Sequence, residues 1–313
     1  MLRRHGAYTL SAALLMAIFS AVPAGAVTLT VGDHQQYKQL SEAAGAAHPG
    51  DAVKIAPGTY YDCAVWTKDH LTIEGTGPGV VLTDKTCQGK AIFVVHANDI
   101  TVKNITFQRA RVPDGNGAGI RAEGINLTIE NSKFINNQEG ILAATNPTSS
   151  IVIRDSEFDH NGTCSNPGGC AHGIYVNNIA LLRIERSRFF DTQTGHHIKS
   201  RAARTELVDN HIEDGPDGTA SYEVDIPNGG ALVMTGNVLE KGPKNQNHTA
   251  AVIIGEEGVS QPTPELIFKD NAFTNDGPAT AFVNNITATP AQLIGNVLKG
   301  NVIKPLIGDG AVH

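Results

Sequence analysis

Apolar residues in this chain come in short alternating bursts. Each burst closes on a polar turn and one more large apolar side chain. The pattern runs through Ile100–Phe107, Leu127–Phe134, Ile151–Phe158 and Leu182–Phe189, then Leu207–Ile212, Val233–Leu239, Ile267–Phe273 and Leu293–Leu298. Alternation of period 2 predicts a strand in each burst. The repeat distance of roughly 23–34 residues falls in the solenoid range. Asn, or Asp or Arg in its place, holds the turn at Asn104, Asn131, Asp155, Arg186, Asn210, Asn237, Asn271 and Asn296. Such a residue suits a left-handed backbone and a side-chain hydrogen-bond ladder. The Phe, Ile or Leu that follows predicts an internal stacked column. The Leu-x-x-Leu-x-Leu framework of leucine-rich repeats is absent. No long helical pattern separates the bursts, which argues against doubly wound α/β folds.

Ahead of the repeats, Tyr37, Leu40, Ala43 and Ala44 recur at helical spacing and predict one amphipathic helix over residues 35–47, with Asp33 as its N-cap. Pro49, Gly50 and Asp51 stop it, and a strand over 52–56 and a Pro57–Tyr60 turn follow. This order of helix, Pro-Gly-Asp, strand and Pro-Gly-Thr-Tyr resembles the start of right-handed parallel β-helix proteins of the pectin-lyase-like superfamily. The fold expected is therefore all-β, a single-stranded right-handed parallel β-helix over residues 27–313. A short N-terminal helix would cap core and strand edges that water would otherwise meet.

A second short strand lies between successive bursts and is often opened by Gly: Gly119–Ala122, Gly140–Ala143, Gly173–Val176, His197–Ser200, Glu223–Ile226 and Val252–Ile254. With Ile198 and Val224 taken as inward, period 2 turns His197, Lys199 and Arg201 outward, and Glu223 and Asp225 likewise. His196, His172 and Tyr222 then point inward. Aligned coil by coil, the outer face carries three columns. These are Gly173, His197 and Glu223; Tyr175, Lys199 and Asp225; and Asn177, Arg201 and Asn228. Coils about 4.8 Å apart merge them into one polar plaque, which Glu256 and Glu257 extend. Trp66, ahead of the main coils, is either a sugar platform or packing.

Residues 1–26 read as a secretory signal peptide, with Arg3 and Arg4 before a short apolar stretch and Ala24-Gly25-Ala26 at its end. Its removal takes the formal net charge from −7 to −9, which argues against nucleic acid as a partner. No later segment is apolar and long enough to span a bilayer, so a secreted or periplasmic protein is expected. Export permits disulfides. Four cysteines allow three connectivities, and Cys63–Cys87 with Cys164–Cys170 is the pairing preferred.

The superfamily resemblance implies a polysaccharide substrate and lyase, epimerase or hydrolase chemistry. For elimination on a uronate, Arg201 is the natural partner of the sugar carboxylate. Lys199 or His197 would serve as base, its pKa lowered by neighbouring cations, and Tyr175 or His197 as the acid at the departing O4. C5 epimerisation needs nearly the same groups. Glu223 and Asp225 are candidates for a hydrolase pair, for ion pairs with Lys199 and Arg201, or for a Ca²⁺ site with Glu256. Asn177, Glu223, Asp225, Asn228 and Glu256 complete the candidate substrate contacts. A glycan-binding protein without catalysis uses the same plaque. No cofactor is expected apart from calcium.

Overall fold

In the computed structural model, which describes residues 25–166 and 169–313, the chain winds into a right-handed parallel β-helix. Strands run from Thr28 to Val312. The signal peptide expected over residues 1–26 lies almost wholly outside the described residues. Each coil contributes three short strands. In the coils that matter here these are Ile179–Glu185, Arg188–Phe190 and His196–Ser200, followed by Arg204–Val208, His211–Glu213 and Tyr222–Ile226. Every strand pairs in parallel with its counterpart one coil away. The exception is an antiparallel hairpin, Thr163–Asn166 with Gly169–Ala171, that stands out from the coil and is tied by the Cys164–Cys170 disulfide. Cys63–Cys87 closes the other expected bridge, with Cα atoms 5.5 Å apart.

The repeats put like on like. Ile129, Ile153, Ile184, Leu207, Met234 and Phe268 stack in register along one sheet. The predicted aromatic column is present: Phe107, Phe134, Phe158 and Phe189 stack with centroids 5.1, 4.7 and 4.4 Å apart, and Ile212, Leu239 and Phe273 continue it. Trp66 is fully buried edge-on to Phe93 at 5.3 Å, which makes it packing.

The turn differs from expectation in one respect. Left-handed backbone and hydrogen-bond ladder fall on successive residues. Asn104, Asn131, Asp155 and Arg186 have positive φ, and Asp209, Gly236, Asp270 and Gly295 take that place in later coils. The ladder belongs to the residue after it. Ser187 N donates to Asn210 Oδ1 (2.9 Å), and Asn210, Asn237 and Asn271 each donate through N to the next Asn Oδ1 at 3.0 Å. Their Nδ2 groups turn back to carbonyls of the preceding coil, satisfying donors that burial would otherwise orphan.

The cap is a shorter helix than the sequence predicts, Leu40–Ala46, with Gln39 at the N-cap in place of Asp33. The Glu42 carboxylate accepts from the amides of Lys38 and Gln39, both at 3.1 Å, and this fixes the start. Leu40, Ala43 and Ala44 are buried against the first coil, touching the Thr28–Val31 and Ala64–Trp66 strands.

Candidate functional site

The strands Ile174–Val176, His196–Ser200, Tyr222–Ile226 and Ala250–Ile254 lie side by side, with Ile174, Ile198, Val224 and Val252 in register inside. Beyond this apolar anchor, period 2 holds. Tyr175, Lys199 and Asp225 occupy one row on the outer face. Arg201 follows on the same side. Its Nε donates to Tyr175 Oη at 2.8 Å, and its Nη1 reaches Asn228 Oδ1. Asn228 in turn donates to Gly258 O (3.1 Å). Lys199 Nζ lies 2.9 Å from Asp225 Oδ2 and 2.7 Å from Glu257 Oε1, while Glu257 Oε2 takes Arg201 Nη2 at 2.6 Å. Both cations also sit over the Tyr175 ring, at 5.9 Å for Lys199 and 5.6 Å for Arg201.

Upstream of the anchor the expected orientation is reversed. The register of these strands steps from His196–Tyr222 directly to Ile198–Val224, and from Ala118–Glu139 to Ile120–Ile141. The residue between takes no register partner on either strand, and its side chain lies inside with that of the next, so two successive side chains face the core. Glycine fills this position in early coils because nothing larger fits. A Cβ on Gly119 would lie 2.7 Å from Phe134 Cδ1 and 2.9 Å from Gly140 O, and one on Gly140 2.2 Å from Gly173 O and 2.9 Å from Phe158 Cδ1. Where the stacked column narrows to Ile212 and Leu239, the position carries His197 and Glu223.

His197 is therefore interior and completely buried, as is Glu223. His197 Nδ1 contacts Thr192 Oγ1 (2.7 Å) and its Nε2 contacts Asp214 Oδ1 (3.0 Å). Glu223 sits 3.4 Å from the equally buried Lys241 Nζ, and desolvation pushes its pKa well above the carboxylate range. Neither residue can reach a glycan. The Glu223–Asp225 pair expected for hydrolysis is split between the two faces of the strand, and so is the Ca²⁺ set that joined Glu223 to Asp225 and Glu256. Asn177 donates to Ala143 O (2.9 Å), which ties it to the neighbouring strand.

His172, His196 and Tyr222, expected inside, instead form an outer column beside the plaque. Ring centroids are 4.8 Å apart between the two imidazoles and 5.3 Å between His196 and Tyr222. Tyr222 Oη donates to Glu256 Oε2 (3.1 Å), and His196 Nε2 lies 3.4 Å from Asp225 Oδ2. Glu256 thus adjoins the plaque through this column, and Glu257 is the residue that holds the two cations. The Gly that opens the earlier strands at this inward position was the signal for this arrangement.

Electrostatics follow from burial and pairing. Burial pushes His172 down to about 3 and His196 well below the ordinary histidine value, with Lys199 adding to both, so the two rings are neutral. Burial alone would lower Lys199. The carboxylates of Asp225 and Glu257 outweigh it and hold the ammonium above its ordinary value, contrary to the expectation that adjacent cations lower it. Asp225 is pushed up to about 7 by desolvation, against the pull of Lys199. The row thus presents a charged ammonium, a guanidinium and a phenol whose oxygen faces that guanidinium. Two concavities elsewhere, one around Gly75, Asn104 and Lys133 and one around Glu213, Glu240 and Asp276, include no plaque residue.

Among solved structures, an alginate lyase from Paenibacillus sp. str. FPU-7 is similar with a TM-score of 0.63 at 18% identity, over 91% of this chain and 99% of that one. Escherichia coli ybhc is similar with a TM-score of 0.51 at 13% identity, over 75% and 77% of the two chains. At these identities the likeness is one of fold. No curated protein matches the sequence. The family model described as periplasmic copper-binding protein (NosD) matches residues 31–222, more than half of the chain. Two disulfides fit a compartment outside the cytoplasm. Among the described residues no helix is long and apolar enough to cross a membrane.

Copper, named in that description, favours free imidazole, thiolate or thioether donors. The described side-chain clusters do not fit it. All four cysteines are in disulfides. Backbone amides donate to Nδ1 of His172 (3.0 Å) and of His196 (3.3 Å), which places the proton of each neutral ring on Nε2 and leaves no lone pair toward Asp225 and Glu256. His197 is enclosed in the core with Asp214 and Glu223, and His160 is grouped with Asp159 and Asp191, so each cluster offers one imidazole among carboxylates, a donor set that suits harder ions better than copper. On a match that runs from the end of the first strand through the helix cap and the Phe107–Phe189 column to Tyr222, the chain belongs to the NosD family.

Proposed function

We propose that this protein is a polysaccharide lyase that cleaves uronate-containing chains by β-elimination at the plaque. The observation that carries the reading is the placement of Arg201. Its Nε is bonded to the Tyr175 oxygen, and its Nη2, with Lys199 Nζ, grips a carboxylate. A uronate carboxylate in that grip is neutralised, which acidifies the C5 hydrogen on the adjoining carbon. Tyr175, one guanidinium away, is the group beside that hydrogen. Its oxygen, having passed its own proton to water, takes the C5 proton, and Arg201 stabilises the negative charge it carries in between. The C5–H electron pair forms the C4–C5 double bond, the C4–O4 bond breaks, and the Lys199 ammonium protonates the departing O4. The proton on Tyr175 and the one lost by Lys199 are exchanged with water to restore the site.

Tyr175, Lys199 and Arg201 all rise from one sheet face and meet the sugar from one side. That favours elimination over C5 epimerisation, which requires proton return from the opposite face. A second reading, a glycan-binding protein without chemistry, draws on the closed pairing of Lys199 and Arg201 with Asp225 and Glu257. The test is ultraviolet detection of unsaturated uronate ends from a panel of acidic polysaccharides. Their appearance supports the lyase. Binding with no product by ultraviolet, reducing-end or proton-exchange assay supports the second reading.

A further inference from the structure

Glu257 stands apart from the strand residues of the plaque. It comes from a turn, whereas Tyr175, Lys199 and Asp225 come from strands. The turn is framed by Gly255 and Gly258, both at positive φ (91° and 94°), and closed by Gly258 N to Gly255 O at 3.1 Å. Its side chain is 42% exposed, against 10% for Lys199 and 21% for Arg201. One carboxylate thus bridges two largely buried cations from the solvent side. If it swings away, Lys199 keeps Asp225, and Arg201 keeps Tyr175 and Asn228. The frame of the seat does not depend on Glu257.

From these observations we infer that Glu257 is a specificity-determining residue. It fills the seat that a sugar carboxylate takes, and so admits only sugars that carry a free carboxylate. This rests on the elimination reading for the identity of the seat. A free uronate replaces Glu257 like for like, charge for charge. A methyl ester or a neutral sugar offers no anion, so its binding leaves two desolvated cations short of a partner. Sites built around a buried polar group reject ligands that fail to pair it.

The experiment is calorimetric titration of the full protein and its Glu257→Gln variant. The probes are saturated trimers of mannuronate, guluronate and galacturonate, each as free acid and as methyl ester, with elimination followed on the same samples. Wild type is expected to bind an acid and not its ester. Glu257→Gln keeps the size and removes the charge, so the acid binds about tenfold more tightly and the ester begins to bind. Weaker or unchanged acid binding by a folded Glu257→Gln protein overturns the inference and marks Glu257 as a structural clamp, as does equal binding of acid and ester by wild type. Glu257→Asp, with shorter reach and the same charge, must move acid affinity the same way by less, and it carries the test if the amide variant does not fold. Tightening without unsaturated product leaves the inference standing and removes the lyase. Product with no tightening does the reverse.

Discussion

Two ladders climb overlapping coils, eleven or twelve residues apart along the chain, and they are built on opposite rules. Asn210, Asn237, Asn271 and Asn296 repeat one side chain, so each donor meets the acceptor of an identical neighbour and the column is satisfied throughout. Tyr175, Lys199 and Asp225 occupy an equally regular row with a different side chain at every step. The regular ladder satisfies itself and has no reach beyond the fold. The irregular one leaves charges that need partners from outside the row, which Arg201, Asn228 and Glu257 supply. In a solenoid, repetition marks structure, and a break in repetition within an otherwise perfect register marks a site.

Substitutions separate the two ladders. The largest effect is expected from Tyr175→Phe, which removes the proton-accepting oxygen and keeps the ring over which Lys199 and Arg201 sit. kcat/KM on a cleaved polysaccharide should fall by about 10²–10⁴, with the melting temperature nearly unchanged. Asn237→Ala should do the converse. It strips the acceptor from Asn210 and the donor to Leu207 O, both buried. Stability should drop by about 3 kcal/mol, read by denaturant unfolding, while activity per folded molecule is preserved.

Asp225 gives a smaller, pH-resolved effect. Its folded pKa, about 7, lies above the value of a free aspartate, so the folded state holds the proton more tightly than the unfolded chain. Its contribution to stability is therefore greatest below about pH 4 and is lost as pH rises toward 7, by up to about 4 kcal/mol. Thermal melts across that window should show a flatter slope for Asp225→Asn than for wild type. The least effect is expected from copper. Because the neutral imidazoles of the outer column keep Nε2 protonated, added Cu²⁺ should neither bind stoichiometrically at the plaque nor raise the melting temperature. A tight one-to-one isotherm lost in His196→Ala would reverse that assignment.

Much of this was readable without coordinates, for a physical reason. Phe134, Phe158 and Phe189 recur because each must stack on the last, so fold and period are written redundantly. The same redundancy anchored Ile198 and Val224 inside, and from that anchor forward alternation placed Tyr175, Lys199, Arg201 and Asp225 correctly. One residue upstream it failed. A local irregularity shared by these strands turns two successive side chains inward and breaks period 2, and His197 exchanged places with His196, as Glu223 did with Tyr222. The hint lay in a long-range size match, Gly119 against Phe134 and Gly140 against Phe158, relaxing where Ile212 and Leu239 make room. The role of Glu257 had no local signal, because it reaches Lys199 and Arg201 from a turn more than fifty residues on.

Elimination across a uronate linkage by this row is measured by incubating wild type, Lys199→Ala and Arg201→Ala with a panel of acidic polysaccharides and following the ultraviolet absorbance of unsaturated uronate ends. A rise is expected on at least one polymer with wild type, and its loss in both variants. A rise that survives in either variant, or no rise on any polymer from a protein that binds them, contradicts it.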